Sequence, residues 1–156
     1  VVVNKPQRGR VHRLVEGESP QVIVLDRRGR LTGNEKIFSL GREVWVFSHA
    51  AKEINDHRWI TIDSAQPLIP AVFETMMAYE MNTLFVEGGR LIHQAFLEGP
   101  MWWDELRYFT SRAVLGHGVS APDIPADSVP YVREEVGGDE MVILRAKQIW
   151  QNFISS

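Results

Sequence analysis

Apolar residues along this chain gather into short uninterrupted runs in the first half, which predicts buried strands, and into sparser alternating runs in the second. Val22-Ile23-Val24-Leu25 ends in Asp26-Arg27-Arg28-Gly29, the pattern of a buried strand entering a turn. Val44-Trp45-Val46-Phe47, closing on Ser48-His49, repeats it, and Trp59-Ile60-Thr61-Ile62 before Asp63-Ser64 is a third. Leu68, Val72, Met76 and Tyr79 fall at helical spacing, so a helix leads towards Leu84. Leu84-Phe85-Val86 then predicts a strand buried on both faces. Leu91, Ile92, Ala95 and Phe96 share one face of a following helix, which Gly99-Pro100 ends.

Beyond that helix, residues 105–111 predict a strand carrying Leu106 and Tyr108, with a further apolar stretch at 113–115. Loops follow at Gly116-His117-Gly118 and across the Pro-, Asp- and Ser-containing stretch 121–128. Runs at 129–136 and 141–144 flank Gly137-Gly138-Asp139 as an antiparallel hairpin. Strands alternating with helices favour right-handed crossovers and parallel pairing. The expected fold class is therefore α/β, a mixed, mainly parallel sheet flanked by helices, with a C-terminal antiparallel hairpin. The chain has no internal repeat, low-complexity tract or domain linker.

A length of 156 residues, 44% of them hydrophobic and 24% charged, suits one domain spanning 1–156. A formal net charge of -3 gives no footprint for nucleic acid, although six arginines and one lysine fall between Lys5 and Arg30. That basic stretch is either a local anion-binding surface or a solvated polar face. With no cysteine, a disulfide framework, a thiolate zinc site and a cysteine nucleophile are excluded. No run approaches the roughly 18 apolar residues of a membrane span, so a soluble, cytoplasmic protein is expected. The opening Val1-Val2-Val3, without a methionine, is expected to be the tail of a strand in a longer protein.

Several common chemistries lack their motifs. His12, His49, His57, His93 and His117 are scattered, without metal-ligand spacing, so no metal is expected. There is no GxSxG elbow, Walker loop or GxGxxG. What stands out is Val86-Glu87-Gly88-Gly89 ahead of a helix. Paired glycines let backbone N–H groups approach a ligand, and a helix N-terminus favours an anion such as a pyrophosphate. A plain strand-to-helix turn has the same pattern. Glu87 is placed either to touch a polar ligand or to meet a structural partner, and the Asp26-Arg27-Arg28 turn could bind a phosphate bidentately.

In order, Leu84-Phe85-Val86-Glu87-Gly88-Gly89-Arg90-Leu91, Trp103-Asp104-Glu105-Leu106-Arg107-Tyr108 and Val114-Leu115-Gly116 resemble the reductase domain of the bifunctional riboflavin-biosynthesis deaminase/reductase. That family carries V-E-G-G, V-D-E-L and L-L-G at these places, and Ser19-Pro20-Gln21-Val22-Ile23-Val24-Leu25-Asp26 is similar to its N-P-x-R-V-V-L-D strand. The resemblance covers about 6–144. It implies a dihydrofolate-reductase-like fold and NADPH-dependent reduction of 5-amino-6-(5-phosphoribosylamino)uracil to the ribitylamino product. It also implies a homodimer, and a deaminase domain in the full-length parent.

Carried over by resemblance, Glu87 and Arg10 contact substrate, Arg10 as its phosphate ligand. Asn4, Arg27, Gly88, Gly89, Arg90, Leu91, Ile92, His93, Gln94 and Ala95 contact NADPH, with Arg27 suited to its 2′-phosphate. No residue is singled out as the proton donor. The family's S-L-D-G strand, the next helix and the G-x-x-T strand have no counterpart here, Asn4 replaces an acid, and Trp102-Trp103 replaces smaller apolar residues. An N-terminally truncated reductase domain without a deaminase is thus expected. A catalytically incomplete nucleotide-binding or assembly module of the same fold, or a related reductase with another pterin-like substrate, remain the alternatives.

Overall fold

The computed structural model describes residues 20–54, 56–99, 102–114 and 116–147. The expected N-terminal strand tail, Asn4 and Arg10 lie outside the described residues. The chain divides into two compact units, Val1–Gly88 and Gly89–Ser156.

In the first unit Val22–Leu25 (β1), Val44–Ser48 (β2) and Arg58–Thr61 (β3) form a parallel sheet in the order β1-β2-β3. The register sets Val22 beside Val44 and Leu25 beside Phe47, then Trp45 beside Arg58. The central strand β2 is buried along its whole length, as its unbroken apolar run requires of a strand covered on both faces. Alternation then sorts the side chains. Ile23, Trp45 and Phe47 meet Ala71, Val72 and Met76 of the helix Leu68–Ala78 (α1), while Val22, Val44 and Val46 form a second core on the other face. Burying each such side chain contributes about 1.5–3 kcal/mol.

α1 ends where Glu80 takes a left-handed φ of 55°, with Met81 N–H bonded to Met76 O and Glu80 N–H to Met77 O. That is a Schellman stop, in which the last orphan carbonyls find donors. Between β1 and β2 the described chain has only a short 3-10 helix, Lys36–Ser39, and the described residues 49–54 and 56–57 between β2 and β3 hold no helix or strand. Loops replace the helical crossovers that the parallel strands predict, so polar side chains gather beyond the strands' carboxyl ends.

One expected element differs. Residues 84–86 are not a strand: no described strand pairs with them, and Phe85 is 62% exposed. A strand needs a neighbour to take its N–H and C=O groups, and an apolar run alone does not supply one. Leu84 still packs against the core that α1 covers.

The second unit holds the helix Arg90–Glu98 (α2) and the strands Glu105–Thr110 (β4), Val129–Val136 (β5) and Asp139–Arg145 (β6), in an antiparallel sheet ordered β4-β6-β5. β5 and β6 form the expected hairpin: Val136 pairs with Asp139 across Gly137 and Gly138, whose φ values of 61° and 91° meet the demand of a two-residue type I′ turn. A register shift between Pro130 and Val132 bulges out Tyr131, and the Arg145 guanidinium lies 3.5 Å from its ring centroid. Residues 111–114 are not a strand, and Leu115 lies outside the described residues. The buried face of α2 also differs from expectation. Phe96 and Leu97 are buried and Ile92 and Ala95 half-buried, but Leu91 is 83% exposed. The buried stripe centres on 92, 93, 96 and 97, one residue round from the expected face, because Leu97 rather than Leu91 completes it.

The described residues form an α/β fold, with one parallel and one antiparallel sheet and two α-helices, in keeping with the expected class.

Candidate functional site

The turn after β1 is built around a buried carboxylate. Asp26 accepts the Leu31 N–H on Oδ2 at 2.8 Å, and its backbone O accepts the Gly29 N–H at 2.9 Å. Arg27 and Arg28 therefore stand at the two corners of a closed β-turn, both exposed, with Arg30 exposed just beyond. Gly29 takes φ 61°, and a Cβ there would lie 2.5 Å from the Ala50 Cβ, so only glycine lets the turn approach the loop after β2. Farther on, Glu35 accepts the Thr32 and Gly33 N–H groups at 3.0 Å each. The Thr32 backbone bond foremost holds the Glu35 carboxyl below the usual glutamate range.

From the loop after β2, Lys52 Nζ donates to the Leu31 carbonyl at 2.7 Å and also to the Gly29 carbonyl. Its ammonium lies 5.7 Å from the Trp59 ring centroid, and Trp59 Nε1 donates to Ala50 O at 2.7 Å. The fully buried Ser48 accepts the Ala50 N–H on Oγ at 3.0 Å, which fixes the start of that loop. The turn is thus tied at Gly29 and Leu31, while Arg27 and Arg28 are exposed. Planar, permanently charged and fork-shaped, they suit a phosphate.

The glycine turn has a different character. Glu87 is half-buried, and among the described residues no hydrogen bond or ion pair engages its carboxylate. Gly88 and Gly89 are exposed, and a Cβ at Gly89 would meet nothing within 4 Å. Gly89 is the extended N-cap of α2, without a side-chain cap, and its carbonyl accepts the Ile92 and His93 N–H groups at 3.1 and 3.3 Å. The first turn carries no acid. An uncapped N-terminus of this kind can meet an anion with its first N–H groups.

The remaining expected contacts are distributed unevenly. Arg90 Nη2 lies 3.6 Å from Asp123 Oδ2, and Gln94 accepts the Asp123 N–H at 2.7 Å while donating to Glu98 at 3.0 Å. The Arg90 and Gln94 side chains therefore anchor the 121–128 loop. Leu91 points to solvent, His93 and Ala95 are half-buried, and Ile92 faces the buried side of α2. Among the described residues, no group of three His, Asp or Glu side chains could hold a metal ion.

Lys52 and Ser48 escaped the sequence reasoning. The lysine's contacts span 21 and 23 residues, and no local pattern signals them. Asp26 was legible because a carboxylate closing an apolar run has to find a donor.

The chain matches the model of the RibD C-terminal domain over residues 2–135. Among solved structures, it resembles the Thermotoga maritima diaminohydroxyphosphoribosylaminopyrimidine deaminase/5-amino-6-(5-phosphoribosylamino)uracil reductase at 23% identity. That match has a TM-score of 0.70 and covers 86% of this chain and 40% of the other. Acinetobacter baumannii RibD is similar at 23% identity and TM-score 0.65, with 81% of this chain and 37% of that one covered. For the Saccharomyces cerevisiae riboflavin biosynthesis reductase Rib7 the values are 16% identity and TM-score 0.65, over 81% of this chain and 70% of the other. The chain thus spans well under half of the two bacterial proteins. A search of curated protein sequences found no match. The structures share the fold, and the family model matches most of the chain: this protein belongs to the RibD C-terminal domain family.

Proposed function

We propose that the chain is the reductase portion of a riboflavin-biosynthesis enzyme, reducing the ribosyl group of 5-amino-6-(5-phosphoribosylamino)uracil to ribityl with NADPH. The observation that carries this is the match of residues 2–135 to the RibD C-terminal domain, a stretch in which Glu87 has no hydrogen bond or ion pair among the described residues. NADPH, when bound, supplies the hydride. The protein's part is to bind and orient. Glu87 accepts hydrogen bonds from the substrate's polar N–H or O–H groups, and Arg10 takes its phosphate. The arginine turn takes the cofactor's 2′-phosphate.

The partner proposal follows the same family. A deaminase domain in the longer parent would supply the substrate, and two copies would pair. Exposed Phe109, Tyr131 and Val136 on the antiparallel sheet support a protein-facing surface. No helix of the described residues is long and apolar enough to cross a membrane.

Loss of NADPH absorbance in the presence of the aminouracil phosphate tests the activity directly. Glu87→Gln should lower kcat/KM for that substrate by about 10- to 100-fold, the effect of losing one charged hydrogen bond. NADPH affinity should stay within about twofold of wild type. Equal losses in both count against the role of Glu87, and NADPH binding without turnover points to an incomplete nucleotide-binding module.

A further inference from the structure

Three basic residues, Arg27, Arg28 and Arg30, stand exposed on one short turn, and Lys52 reaches that turn from another loop. Lys52 spends its donors on two backbone carbonyls of the turn, Gly29 O and Leu31 O, which flank Arg30. The Asp26 carboxylate holds the Leu31 N–H and the Asp26 carbonyl holds the Gly29 N–H, so the same two residues are gripped at both N–H and C=O. Lys52 itself comes from the other loop and lies against Trp59, on β3. The lysine thereby ties the β1 turn to the β2–β3 connection, and the left-handed Gly29 lets the backbones approach closely enough for it.

An arginine fork binds phosphate well only if its backbone is already in place, because ordering a loop on binding costs conformational entropy. We infer that Lys52 is a positioning residue: it preorganises the Arg27-Arg28 turn and so sets preference for a phosphorylated dinucleotide, NADPH, over NADH. This rests on the proposed reading of the arginine turn as the 2′-phosphate site.

The test is fluorescence titration of the full chain with NADPH and with NADH. Lys52→Met should weaken NADPH binding about 5- to 10-fold while NADH changes less than twofold, and Lys52→Arg, which can still donate to both carbonyls, should restore most of the preference. In an Arg27→Met/Arg28→Met background, Lys52→Met should cost nothing further. A persisting loss there shows that Lys52 meets the phosphate directly and overturns the positioning role, as does an equal loss for both cofactors or no loss at all. Should Arg27→Met/Arg28→Met leave NADPH and NADH affinities untouched, or should wild type bind neither, the 2′-phosphate reading itself fails. A selective loss on removing the arginines, with none on removing Lys52, refutes the lysine inference alone. Circular dichroism of each variant confirms that the fold is intact before titration.

Discussion

Gly29 shows how one residue without a side chain determines what its neighbours can do. Its φ of 61° is open to glycine and costly for other residues, and the space a Cβ would need is filled by Ala50. Gly29→Ala should therefore destabilise the protein by about 2–4 kcal/mol, combining left-handed strain with overpacking. Urea unfolding measures it. Adding Ala50→Gly should recover the steric part and leave the strain, whereas an unchanged midpoint in the single variant would contradict the close approach. Asp26 was recognisable from the chain because a carboxylate ending an apolar run has to find a donor, here the Leu31 N–H. Lys52 was not, since its role depends on two carbonyls more than 20 residues away.

At the level of elements, continuous apolar runs were reliable wherever a partner strand exists. β1, β2 and β3 fall where their runs predict, because both faces of β2 and its neighbours are covered. The same kind of run at 84–86 has no pairing strand among the described residues. Periodicity in α2 located the helix but not its orientation, which the burial of Leu97 in place of Leu91 decides. Phe47, fully buried between β2 and α1, and exposed Leu91 make a matched pair of predictions. Phe47→Ala should cost about 3–5 kcal/mol through the cavity it leaves, and Leu91→Ser should stay within about 0.5 kcal/mol. Thermal unfolding distinguishes them, and a large cost at Leu91 would contradict the observed face of α2.

Over the whole molecule, a net charge of -3 repels anions on average, so any anionic ligand must be held by local basic groups. NADPH affinity should accordingly fall as salt is raised through about 0.1 M, where the Debye length is about 10 Å, and NADH affinity should fall less. Fluorescence titrations at two salt concentrations check this; equal slopes would deny the arginine turn its part in reading the 2′-phosphate. The α/β class, the three parallel strands, both helices, the hairpin and the Glu87-Gly88-Gly89 turn were all legible along the chain, because each depends on local periodicity or on glycine's backbone freedom. So was the family resemblance, which needs only motifs in order. Among the described residues, the strand order of each sheet, the lack of a pairing strand for 84–86, the exposed side of α2 and the grip of Lys52 on the arginine turn depend on long-range contacts. Which strand finds a neighbour, and which carbonyl finds a donor, depends on residues far apart in sequence, and no local pattern encodes those distances.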